Sequence, residues 1–136
     1  MTRKSIFLIL IIFLGVLSVL FLIEYYSIDR DLYSNTFFVD AVYLEEEGYV
    51  EITFIDNSNN TQSAILEILG MEESFQRNYL GSEFSERVPF SSVPKYGWKI
   101  NPVTLVLVHD EFGKIGIKTE IHAPNEPKPP IIFSNL

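Results

Sequence analysis

The stretch that decides the fold is TLVLVHDEFGKIGIKTEI, Thr104 to Ile121. Thr104 to Val108 is a continuous β-branched and apolar run; beyond it Ile115, Ile117 and Ile121 alternate with Gly116, Lys118 and Glu120. Alternation of this kind puts one side of an extended chain on a core and the other in water. Asp110-Glu-Phe-Gly113, between the two halves, carries turn chemistry. The segment predicts an antiparallel hairpin.

The same period of two recurs upstream. Tyr49 to Asp56 alternates Val50, Ile52 and Phe54 with Glu51 and Thr53. After a turn-forming Asp56-Asn-Ser-Asn-Asn60 loop, Ala64, Leu66 and Ile68 repeat the pattern less cleanly against Ile65, Glu67 and Leu69. Phe37 to Leu44 reads as an opening strand that ends at the acidic turn Glu45-Glu-Glu-Gly48. Phe84 to Phe90 reads as another, with Pro89 marking a sheet edge because proline cannot donate to a ladder. Met71 to Leu80 admits two readings: Phe75 and Tyr79 have helical spacing with Gly81 as a cap, and a strand fits equally. Six or seven short strands between residues 37 and 123, with turn signals and no long helix, predict an all-β domain: an antiparallel β-sandwich of immunoglobulin-like type. The likeness is architectural, since no Cys…Trp…Cys pattern is present.

Ahead of this domain, Ile6 to Ile23 is an uncharged run of 18 residues interrupted only by Gly15 and Ser18. At ~1.5 Å rise per residue it nearly matches the ~30 Å hydrocarbon thickness of a bilayer, where a helix satisfies its own backbone. Arg3 and Lys4 precede the run, and Glu24, Asp29 and Asp31 come after it. The positive-inside bias then puts residues 1–5 in the cytoplasm, a signal-anchor helix at 6–26 and the remainder outside the cytoplasm. Tyr25, Ile28 and Leu32 have the spacing to continue the helix into a juxtamembrane spacer at 27–36. A competing reading is a signal peptide cleaved near Val16-Leu17-Ser18, which would release a secreted domain. Residues 124–136 read as a tail, opened by four prolines between Pro124 and Pro130 and continued by Ile131, Ile132 and Phe133.

Composition narrows the function. Eleven Phe and seven Tyr indicate a chain that folds around a core. Only Arg3 and Lys4 precede the apolar run, so the chain beyond it holds eight basic against 18 acidic residues, a formal charge of −10. Such a surface repels a phosphate backbone, so nucleic acid is not an expected partner. The absence of cysteine excludes disulfides, thiolate catalysis and zinc-thiolate sites. No Gly-x-Ser-x-Gly elbow or glycine-rich phosphate loop is present, and Glu45 to Glu47 and Glu72-Glu73 read as solvated turns. No catalytic residue, cofactor or resident metal is expected. One enzymatic alternative uses His109 with nearby carboxylates, Asp110 and Glu111, as a metal-dependent or hydrolytic centre. His122 falls too far along the predicted hairpin to share a metal with His109.

The expectation that remains is a non-enzymatic, membrane-anchored binding module or accessory subunit of a cell-envelope or membrane complex. Its partners are the bilayer, through Ile6 to Ile23, and a protein. Tyr96 and Trp98 are candidate contacts because such aromatics dominate interface hot spots. Ile131, Ile132 and Phe133 are candidates for docking on a partner or on their own domain. Asn59-Asn60-Thr61 matches the glycosylation acceptor pattern, which makes Asn59 a candidate for modification. A passive spacer is the remaining alternative.

Overall fold

The computed structural model describes residues 2–26 and 29–136, without the side chains of 21–26. Helix α1 spans Arg3–Tyr26. Its window from Arg3 to Leu20 has a mean hydropathy of 2.3, and none of it is buried against the protein. The helix is long and apolar enough to cross a membrane. Its Ser18 hydroxyl donates to the Leu14 carbonyl at 2.9 Å, which satisfies the one polar side chain of the apolar run internally. Ile28, expected to continue the helix, lies outside the described residues.

A second helix, α2, spans Arg30–Thr36. Asp29 caps it by accepting the Leu32 amide at 3.0 Å. The expected spacer is therefore structured from Arg30 onward, and α2 buries Tyr33 and Thr36. Tyr33 stands edge-on to Phe37 and Phe133, with ring centroids 6.1 and 5.7 Å away.

Eight strands come next: β1 (Phe37–Leu44), β2 (Tyr49–Asp56), β3 (Thr61–Ile68), β4 (Phe75–Leu80), β5 (Glu83–Pro89), β6 (Val103–His109), β7 (Gly113–Thr119) and β8 (Ile132–Asn135). They form two antiparallel sheets, ordered β1-β2-β5 and β4-β3-β6-β7-β8. Met71 to Leu80 resolves as a strand from Phe75, with Ile68 to Ser63 of β3 as its ladder partner. Pro89 ends β5, an edge strand, as its missing donor requires. The β6–β7 hairpin pairs His109 with Gly113 and leaves three residues in its loop. Gly113 takes φ +75°, the left-handed closing position of such a loop.

The predicted alternation sets which side of each strand is inside. Phe37, Val39, Ala41 and Tyr43 of β1 and Val50, Ile52 and Phe54 of β2 share one core with residues of the other sheet. That sheet contributes Leu66 and Ile68 of β3, Leu105 and Leu107 of β6, and Ile115 and Ile117 of β7.

The segment after β7 departs most from expectation. Ile121 and His122 leave the second sheet for the first: the Tyr43 amide donates to the His122 carbonyl, and the His122 amide to that of Ala41. This makes a parallel bridge from His122 to Val42. The prolines then carry the chain back to β8, which pairs with β7. The expected tail thus ends as a strand of the second sheet, because Phe133 finds an apolar site beside Tyr33.

Candidate functional site

Strand β1 has eight residues, so at ~3.3 Å each it separates its two ends by roughly 26 Å. The domain accordingly has two poles. Helix α2 meets β1 at the near pole; the turn after Leu44 lies at the far one.

The near pole is built on Asp56. Its Oδ1 accepts the Ser58 amide and hydroxyl at 2.8 and 2.6 Å; its Oδ2 accepts the Asn60 amide at 3.1 Å and the Thr61 hydroxyl at 2.7 Å. Burial pushes the Asp56 carboxyl up, but these hydrogen bonds outweigh it and hold the group below the usual carboxylate range. His109 completes the cluster. Its Nδ1 accepts the amides of Glu111 and Phe112, both at 3.1 Å, so the ring proton sits on Nε2. Nε2 faces Asp56 Oδ2 at 3.2 Å and Ser58 Oγ at 3.0 Å.

This geometry bears on the chemistry considered for His109. A serine–histidine–acid relay needs the acid on one ring nitrogen and the serine on the other. Here both address Nε2, and the Ser58 hydroxyl proton points to Asp56. The expected neighbours do not converge on the ring either: Asp110 takes the Gln62 side-chain amide, and Glu111 supplies only its backbone N–H. Among the described residues no three His, Asp or Glu side chains are grouped to hold a metal ion. The ring instead stacks on Phe112, centroids 4.5 Å apart, with Phe37 edge-on at 5.4 Å. His122 is separately engaged, with Nε2 2.6 Å from Asp40 Oδ1 and Nδ1 2.8 Å from the Ala123 carbonyl. Sequence reasoning missed the Asp56 cluster. Its available signal was an Asp opening a turn with Ser two positions on, the spacing of an Asx-turn.

The far pole gathers three separate segments: the Glu45–Gly48 turn, the loop from Phe90 to Pro102 and the residues after His122. The Phe90 amide donates to the Gly48 carbonyl at 3.0 Å, which ties the first two together. Gly70 φ is +76°, and a side chain there would put Cβ 2.0 Å from the Ile100 carbonyl oxygen. Only glycine fits this approach, which supports the short 3-10 turn Trp98–Ile100. Trp98 rests on Tyr43 and Phe90, with centroids 5.0 and 5.5 Å away, and stays partly exposed.

Trp98 divides two grooves. One, of about 660 Å³, has Tyr43, Leu44, Val93, Trp98, Ala123 and Pro124 as its apolar lining, with Glu45, Glu46, Glu47 and Glu126 beside them. The other, of about 590 Å³, is bordered by Tyr96, Lys99, Lys128 and the prolines from Pro127 to Pro130. Tyr96 is 76% exposed. Lys95 sits over its ring, 5.6 Å from the centroid.

The remaining sequence candidates separate. Ile132 is 60% exposed, whereas Phe133 is 7% exposed and belongs to the core; Ile131 is partly buried against it. Phe133 is thus committed to its own domain. Asn59 is exposed on the near-pole loop with φ +56°, next to helix α2, where the Asn57 amide donates to the Thr36 carbonyl. The structure therefore brings Tyr96 and Trp98 together and leaves Asn59 and Ile131 to Phe133 elsewhere. Compared with known protein families, characterised proteins and solved structures, this chain matches none.

Proposed function

We propose that this protein is a membrane-tethered, non-enzymatic binding module that holds its β domain outside the cytoplasm as an accessory subunit of a membrane or envelope complex. One observation carries the reading: Trp98, half-exposed and wedged against Tyr43 and Phe90, sits between two grooves at the pole away from the chain's entry. A partly exposed aromatic held rigidly in a concave surface loses little side-chain freedom on binding, which suits a hot spot.

The tether and its direction are supported by the length of α1 and by Arg3 and Lys4 ahead of it. An immunoglobulin-like sandwich is supported by the strand order: β1-β2-β5 against β4-β3-β6-β7 corresponds to an A-B-E sheet opposite a C-F-G sheet, with the fourth strand beside the third. β8 is an addition to that plan.

The test is cross-linking of the full chain in its native membrane, comparing wild type with Trp98→Ala and Tyr96→Ala. The expected result is loss of a stoichiometric cross-linked protein from both variants while circular dichroism stays unchanged. Recovery of every cross-linked partner by both folded variants would overturn the assignment.

A further inference from the structure

The larger far-pole groove has a chemistry that selects its occupant. Its floor is apolar and aromatic, and every ionisable group lining it that carries a formal charge is a carboxylate: Glu45, Glu46, Glu47 and Glu126. Among the described residues the only ion pairs are those of His109 and His122, so no lysine or arginine neutralises these four. Glu126 accepts the Ala123 amide at 3.3 Å. The acidic turn is also held in place, since the Gly48 amide donates to the Leu44 carbonyl at 2.8 Å and the Gly48 carbonyl accepts from Phe90.

Resting on the binding-module reading above, we infer that the groove takes a basic segment of a partner protein, with a lysine or arginine stem along the apolar floor and its cation among the glutamates. The match is physical. Long cationic side chains bury their methylenes and keep the charged head at a polar rim, and tryptophan is the best aromatic partner for a cation. A bare metal ion lacks use for the apolar floor, and anionic lipid headgroups are repelled by the rim. Of the chain's own lysines nearby, Lys95 lies over Tyr96 and Lys128 over Phe38, 4.3 Å from its centroid, and Lys99 borders the neighbouring groove. A second copy, whose chain beyond the apolar run carries the same formal charge of −10, is repelled by the rim as a whole.

Trp98 is the only tryptophan of the chain, so its fluorescence reports directly from the groove. The experiment titrates the full chain in neutral detergent micelles with a short peptide of alternating lysine and serine, and with the same peptide acetylated on its lysines. A saturable emission change with the first peptide, weakened by salt and absent with the second, is expected. Glu45→Gln with Glu46→Gln should weaken binding about fivefold. Glu83→Gln with Glu111→Gln, the same charge change away from the groove, should leave it unchanged.

No saturable change, or equal weakening by both pairs, would overturn the inference, the latter by showing attraction to net charge alone. Cross-linking in the native membrane separates this failure from that of the broader reading. A partner lost in Trp98→Ala but kept by the Glu45/Glu46 variant would overturn the basic segment and leave the binding module standing. A partner kept by Trp98→Ala, Tyr96→Ala and the Glu45/Glu46 variant would remove both.

Discussion

The two poles of the domain use their polar groups in opposite ways. At the near pole Asp56, Thr61 and His109 are buried with the Ser58 hydroxyl at their rim, and each donor or acceptor is matched by another of the same loop cluster. At the far pole Glu45, Glu46 and Trp98 face a groove, with no protein cation in partnership among the described residues. A buried polar cluster is costly unless fully satisfied, so the near pole is where substitution should unfold the domain. Surface carboxylates interact mostly with water, so the far pole should tolerate substitution in stability and respond to it in binding.

The strongest challenge to this contrast is Asp56→Ala. It strands two hydroxyls, two amides and His109 Nε2, and should cost about 3–4 kcal/mol in urea unfolding of the full chain in micelles. The same carboxylate sets a pH dependence. Its folded pKa lies below its unfolded value near 3.9, so its contribution is fully present above that value and is lost as pH falls through the folded one. Thermal melts between pH 6 and pH 2 should show a steeper acid loss in wild type than in Asp56→Asn; equal slopes would remove Asp56 from the account.

Next in size is Phe133→Ala, expected to cost about 3 kcal/mol by opening a cavity beside Tyr33 and Phe37, whereas Ile132→Ala on the exposed side of the same strand should leave the urea midpoint nearly unchanged. Similar losses from both would mean that β8 contributes by ladder bonds rather than by packing.

Gly70→Ala refines the contrast from the far pole. Positive φ and the close Ile100 carbonyl predict a loss of about 2–3 kcal/mol and a shifted Trp98 emission maximum. Gly97→Ala, in open space, should cost about 1 kcal/mol from its φ of +83° alone. Tyr79→Phe is of similar size. The Tyr79 hydroxyl donates to Glu86 while its ring stacks on Phe84 at 3.9 Å, closing one side between β4 and β5. Burial and then Glu86 push its phenol well above the ordinary range, so the donor stays protonated at any working pH. Losing that one bond should cost about 1 kcal/mol by urea unfolding. Smallest of all, Glu45→Gln with Glu46→Gln should leave the thermal midpoint where it is.

The amino-acid sequence alone carried most of what depends on near neighbours: the apolar helix, the period-two strands from β1 to β7 apart from β4, and the turns between them, though not the Asx-turn of Asp56 and Ser58 or the cap of α2 by Asp29. β1 and β2 begin and end where alternation and the Glu45–Gly48 turn put them. Met71 to Leu80 stayed ambiguous because a strand at a sheet edge is only half buried and carries a weak period; β3 decided it by supplying the ladder. Tyr96 and Trp98 were legible as aromatics in a loop, but the groove beside them needs Glu126, brought close only after the chain leaves β7 for β1. Asp56 and His109 are 53 positions apart, as are Tyr33 and Phe133 by 100, and neither pair has a local pattern to announce it. Such contacts form only where sheet register and core packing have already closed the long loops between them, which is why it took the tertiary structure to put Phe133 inside and Trp98 at the surface.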